Sequence, residues 1–309
     1  RESRMLGWLF DGGMTSLLLF AVGTYVLIDY LLRDVFAVPV VSSVWDECLM
    51  LFCACWIIWQ RMDRVKALRA RTNPLDLPVC IFLCAGFVLM NVVAPYYSIQ
   101  ISGYRATVQY LLWFFLITRM LRDERDVLHL YLTLTVAAFL LSLHGIYQYI
   151  AAVPMPSQWV AAAETAVRTR VYSIFGSPNI MGDYMVMFIP MAVGFAYYTD
   201  KTWLKALSWL VALCMCFACL FTMSRGAWLG AAVMIFLFIV LVDRRLFWLV
   251  LFGGAFLVLI PFVRTRIGFL FTDDFVAANT SGGRGERWVF GMQLLRSGNP
   301  WLGAGLGMF

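Results

Sequence analysis

Residues 203–242 read WLKALSWLVALCMCFACLFTMSRGAWLGAAVMIFLFIVLV. Two apolar runs flank the short polar stretch Thr222-Met-Ser-Arg-Gly226. Each run approaches the roughly 20 residues that an α-helix needs to cross the hydrocarbon core of a bilayer. The apolar residues are continuous and lack the alternation of a strand. Helices and closed barrels are the structures that satisfy their backbone hydrogen bonds in lipid, so this stretch reads as a helical hairpin with an arginine at its tip.

The same reading extends along the chain. Nine segments are apolar enough to be read as spans: 14–32, 43–60, 77–94, 106–120, 128–151, 178–199, 203–222, 226–242 and 246–263. The expected fold is an all-α, polytopic transmembrane helical bundle over residues 1–263, followed by the first part of a polar outer loop over 264–309. Composition agrees. The chain is 62% hydrophobic and 14% charged, where a soluble domain carries about 25% charged residues. No cleavage site follows the first apolar run, so that run reads as a span and not as a signal peptide. The net charge of +6 fits membrane topology and contact with anionic lipid headgroups, and nucleic acid is not expected as a partner. All eight cysteines lie in apolar runs and read as small packing residues; their spacing suits neither zinc nor redox chemistry.

Lysine and arginine placement sets the orientation. With a cytoplasmic N-terminus, the inner segments hold Arg1 and Arg4, then Arg61, Arg64, Lys66, Arg69 and Arg71, then Arg119, Arg122 and Arg125, then Lys201 and Lys205, then Arg244 and Arg245. The outer segments hold Arg33, Arg105, Arg168, Arg170, Arg225, Arg264, Arg266, Arg284, Arg287 and Arg296, and no lysine. Arginine's rigid fork grips phosphate bidentately, whereas lysine is a point charge. An arginine-only outer face therefore suits an anionic, lipid-linked substrate.

Four places carry candidate chemistry. Arg225, after Ser224 and before Gly226, would lie at the hydrocarbon edge, either functional or snorkelling to headgroups. Ser224 and Gly226 suit the tight turn. Arg170 precedes the Phe175-Gly-Ser-Pro-Asn179 run into the next span, and it reads either as a phosphate contact or as a loop arginine on headgroups. Asn179 and Asp183 lie one helical turn apart there, suited to capping, interhelical bonding or substrate contact. Arg284 and Arg287 open a segment that places Trp288, Met292 and Leu295 on one face of a short amphipathic helix; two arginines at a helix N-terminus make an anion cradle. His129 and His144 read as packing or hydrogen-bonding residues away from this arginine face. Gly303-Ala-Gly305-Leu-Gly307 lacks the strand–turn–helix context of a nucleotide fingerprint.

The ordered set Arg170…Phe175-Gly-Ser-Pro-Asn179, Ser224-Arg-Gly-Ala-Trp228 and Arg284-x-x-x-Trp288…Asn299-Pro-Trp-Leu-Gly-Ala-Gly-Leu-Gly-Met-Phe309 resembles the O-antigen ligase/polymerase superfamily of bacterial membrane glycosyltransferases. The resemblance covers about the second half of the chain. It implies an inner-membrane enzyme with a periplasmic active face, working as a metal-independent inverting transferase with no cofactor. It implies an undecaprenyl-diphosphate-linked glycan as donor and lipid A–core or another glycan as acceptor, with surrounding membrane lipids as further partners. Arg225 and Arg284 would engage the donor diphosphate, with Arg170 and Arg287 as further contacts and Asn179, Asp183 and Ser224 as support. The general-base histidine of such proteins is expected beyond Phe309, so the chain reads as part of a longer protein. An O-antigen or capsule polymerase shares the donor and is the nearest alternative. A transporter or flippase for an anionic lipid-linked substrate is more remote, because the charges cluster at the surfaces and not at the bilayer midplane.

Overall fold

A computed structural model describes residues 13–62, 73–92, 96–156, 159, 169–268, 271–272 and 284–307. The elements of the described chain are all helices. The elements are α1 (Met14–Gly23), α2 (Tyr25–Tyr30, running on as a π-helical turn over Leu31–Val35), α3 (Pro39–Met62), α4 (Asp76–Val92), α5 (Tyr97–Thr107), α6 (Leu112–Met120), α7 (Glu124–Ile150), α8 (Pro178–Tyr198), α9 (Thr202–Phe221), α10 (Arg225–Leu241), α11 (Leu246–Leu259), α12 (Pro261–Gly268) and α13 (Arg284–Ser297). No strand ladder occurs among the described residues; an isolated bridge joins Asn299 and Gly303.

The all-α expectation holds, and nine full-length spans are not shown among the described residues. Among the described residues four helices are long and apolar enough to cross a membrane alone: Pro39–Gln60, Glu124–Ile150, Pro178–Tyr198 and Thr202–Phe221. The pair Met14–Gly23 and Tyr25–Val35, bent by 68°, makes a fifth if it is one broken span. Asp76–Asn91 and Arg225–Leu241 are apolar but shorter. The expected span 106–120 is broken. α5 already covers Tyr97–Thr107, a 3₁₀ turn follows at Gln109–Leu111, and α6 has only 9 residues. The break falls where polar side chains turn aside: Thr107 Oγ1 donates back to the Gly103 carbonyl at 2.6 Å, and Gln109 Nε2 donates to Glu47 at 3.0 Å. The expected span 246–263 is likewise interrupted, since Pro261 starts a new helix.

Most of each long helix faces outward. Less than half of the apolar stretch of each is buried inside the chain, and large apolar residues such as Leu140, Met187 and Leu213 stand exposed. A water-soluble protein does not leave such continuous apolar surface uncovered; lipid covers it without cost. Cys53 and Cys219 are buried, as expected of packing residues, but Cys48, Cys55, Cys80, Cys84 and Cys216 emerge on exposed helix faces.

The chain forms two compact units. One comprises residues 1–19, 31–127 and 279–309. In it Trp56 and Gln60 of α3 both donate to Thr15 Oγ1 at 3.1 Å, and Arg119 of α6 pairs with Asp76 of α4 at 3.0 Å. The other comprises residues 20–30 and 128–278. Its core is built by α7, α8, α9 and the start of α10, with Leu141, Val171, Met181, Met185, Ile189, Met215 and Cys219 buried together. Small residues at the contacts, Ala192, Ala212, Ala218 and Ala227, let helix backbones approach where no hydrophobic force drives them together.

Candidate functional site

In the second unit, three pieces of chain converge around Arg170. α7 ends at Ile150, the segment 169–177 returns across it, and the 222–224 turn joins α9 to α10. Gly145 makes the return possible, because a Cβ there would lie 2.8 Å from Val171 Cγ1. Val171 N–H donates to the Phe221 carbonyl at 3.1 Å, and Thr169 Oγ1 donates to the Val153 carbonyl at 2.8 Å.

Arg170 itself is only 7% exposed. Its Nε donates to the Thr222 carbonyl at 3.0 Å, Nη1 to the Trp159 carbonyl at 2.7 Å and Nη2 to Asn179 Oδ1 at 3.2 Å. The guanidinium thus ties the incoming segment, the turn and the first turn of α8 to one centre. Asn179, a candidate support, is Arg170's acceptor. Asp183 lies exposed one helical turn along α8.

The 222–224 turn is closed by its own side chains. Thr222 Oγ1 donates to the Cys219 carbonyl at 2.7 Å and accepts from Ser224 N–H at 3.2 Å. Ser224 caps α10, its Oγ accepting from Ala227 N–H at 3.4 Å. The left-handed residue is Met223 (φ 52°). The glycine that this site requires is Gly182 of α8, where a Cβ would meet Ala227 Cβ at 2.6 Å and Thr222 Oγ1 at 3.1 Å. Gly226 has open space around the Cβ position. The expected glycine role therefore moves from the turn to the helix facing it. Arg225, half-buried, is the first residue of α10. The N-terminus of a helix carries partial positive charge, which favours an anion in front of it.

His144 is a hydrogen-bonding residue, as expected, and its partner lies in the segment that carries Arg170. Its Nδ1 lies 3.0 Å from Ser173 Oγ, three residues after Arg170. Gln148, one turn along α7, holds the same residue through Ser173 N–H (2.7 Å) and the Ser173 carbonyl (3.0 Å). Spacing gives no sign of this, since the contact joins residues 29 apart.

In the first unit, α13 starts at Arg284 as expected, though the Arg284 side chain lies outside the described residues. Arg287 is exposed and borders a cavity of about 510 Å³ with Trp288, Gly291, Met292, Leu294, Leu295, Ala304 and Gly305. The helix is less one-sided than expected, because Val289 and Phe290 are exposed along with Trp288, Met292 and Leu295. The glycine pattern serves packing. Gly303, Gly305 and Gly307 all have positive φ, and a Cβ on Gly103 of α5 would lie 2.7 Å from Gly307 N. Arg105, one of the outer arginines, is engaged by Glu47 and by the Ser43 carbonyl at 3.1 Å. Among the described residues no three His, Cys, Asp or Glu side chains converge as a metal site.

The Arg225 turn, the α13 start and the Asn299–Gly307 turn occur in one stretch of chain. Residues 210–309 match the family model described as O-antigen ligase. The match supports the superfamily resemblance over about the last third of the chain, which is similar to that family. The match includes Ser224, Arg225, Arg284 and Arg287; Arg170, Asn179 and Asp183 precede it. No curated protein and no solved structure matches the chain.

Proposed function

We propose that the protein transfers a glycan from an undecaprenyl-diphosphate donor to lipid A–core at the periplasmic face of the bacterial inner membrane. The observation that carries this reading is the position of Arg225. It opens α10 behind a Ser224 cap, within the segment that matches the O-antigen ligase family.

The chemistry asked of that position is electrostatic. The acceptor hydroxyl oxygen attacks the anomeric carbon, and the bond from that carbon to the diphosphate oxygen breaks. The electron pair departs on the diphosphate while a base takes the hydroxyl proton, and the configuration inverts. A guanidinium at a helix N-terminus opposes the charge that develops on the leaving group, the kind of preorganised stabilisation that needs no rearrangement during reaction. Arg284 is the second arginine that the resemblance implies. Arg170 acts through the clamp it forms on the 222–224 turn, with Asn179 as its acceptor; Arg287, Asp183 and Ser224 complete the assigned set.

The test is glycan transfer by full-length Arg225→Ala and Arg284→Ala proteins that still insert in the membrane. Loss of glycan on lipid A–core with both supports the reading. A change in glycan chain length on deletion, with lipid A–core still decorated, would assign the chain to polymerisation instead.

A further inference from the structure

Ser173 is a non-glycine residue in the left-handed region (φ 49°) and only 4% exposed. Such a conformation persists only where surroundings impose it. Here every polar atom of the residue is bonded to α7. Its N–H donates to Gln148 Oε1 at 2.7 Å, its carbonyl accepts from Gln148 Nε2 at 3.0 Å, and its Oγ meets His144 Nδ1 at 3.0 Å. The same Oγ gives its proton to the Leu141 carbonyl at 3.3 Å. All three partners are satisfied when that proton goes to the Leu141 carbonyl and the hydroxyl accepts from His144 Nδ1.

Ser173 lies three residues after Arg170, and Gln148 Oε1 also accepts from Tyr172 N–H at 3.2 Å. The stretch from Arg170 to Ser173 is thus gripped at both ends: by α7 at Ser173, and by Thr222 and Asn179 at the guanidinium. A glycine at 173 would take the same backbone conformation without a grip.

We propose that His144 and Gln148 are positioning residues, a latch on Ser173 that sets the Arg170 segment and, through Thr222, the turn that presents Arg225. The inference rests on the donor-site reading of Arg225. The latch works by hydrogen-bond donation and not by proton transfer. Asparagine at 144, whose Nδ2 falls where Nδ1 sits, should therefore replace histidine.

The experiment measures transfer kinetics of the full-length protein with an undecaprenyl-diphosphate-linked glycan and a lipid A–core acceptor. His144→Ala should lower kcat by about tenfold or more, the scale of loss expected from small misplacements, with donor KM changed less than about threefold. His144→Asn should keep most of the wild-type kcat. Ser173→Gly added to His144→Ala should restore it, and where His144→Ala alone fails to insert, the double variant should insert and transfer. Wild-type turnover by His144→Ala overturns the latch, as does an Asn variant as slow as Ala or a double variant that recovers nothing. Arg225→Ala in the same assay separates the two claims. If it is inactive while His144→Ala is normal, only the latch fails; if it transfers normally, the donor-site reading fails.

Discussion

Arg170 Nε donates to the carbonyl of Thr222 at 3.0 Å, three residues before Arg225. A loop arginine free to grip phosphate would keep its fork open. This one spends its fork on Thr222, Trp159 and Asn179. Arg170 thereby ties the segment that carries it to the turn that precedes α10.

Replacing Arg170 should be costly in stability before it is costly in chemistry. Hydrogen bonds to a charged group are worth about 1.5–3 kcal/mol each, so Arg170→Ala should destabilise the folded protein by at least about 2 kcal/mol. Arg170→Lys should rescue little, since an ammonium on a flexible stem cannot reproduce a planar fork with acceptors on three sides. Thermal unfolding in detergent measures both; a lysine variant as stable as wild type would contradict the clamp.

The two glycines near Arg225 should behave oppositely. Gly182→Ala forces a methyl to 2.6 Å from Ala227 Cβ, an overpacking expected to cost about 1–3 kcal/mol and to push α10 away. Gly226→Ala meets nothing within 4 Å and should change stability by no more than about 0.5 kcal/mol. Melting temperatures of the two variants decide this, and equal losses would refute the packing described.

In the other unit, Gly103→Ala should release the Asn299–Gly307 turn, because the added methyl would sit 2.7 Å from the Leu306 carbonyl carbon. Faster cleavage of that turn under limited proteolysis is the expected result. An unchanged cleavage rate would show that α5 does not seat it.

Asp243, between α10 and α11, supplies a pH signature. Its carboxylate accepts from Arg245 N–H at 2.9 Å and from Tyr197 Oη at 2.9 Å. These bonds, the Arg245 backbone first, hold its pKa below the ordinary 3.8. A depressed carboxylate stabilises the fold above its unfolded pKa and loses that contribution as pH falls through the folded value. Melting temperature should therefore be insensitive to Asp243 titration from neutrality to about pH 4 and fall below it. Asp243→Asn should flatten that acid limb, and an identical limb in the variant would exclude the residue as its source.

The helical class was legible because each crossing needs a long apolar run, and 203–242 supplies two around a single polar turn. Arg225 was legible for the same reason: a lone charge between two such runs can only sit at their tip. The break at 107–111 was hidden, because Gln109 leaves the helical line for Glu47, whose part the local pattern does not reveal. His144 was hidden too, since only the returning segment brings Ser173 to it. Gly226 drew attention by standing beside the arginine, whereas the glycine that the packing requires is Gly182, 40 or more residues away in the chain.

The central claim is that Arg225 offsets charge on a departing diphosphate. Transfer of glycan to lipid A–core by full-length Arg225→Ala, compared with wild type at equal membrane insertion, tests it most directly. The account predicts a fall of about 10²-fold or more, as when one preorganised charge-stabilising group is removed. Transfer at the wild-type rate would contradict it.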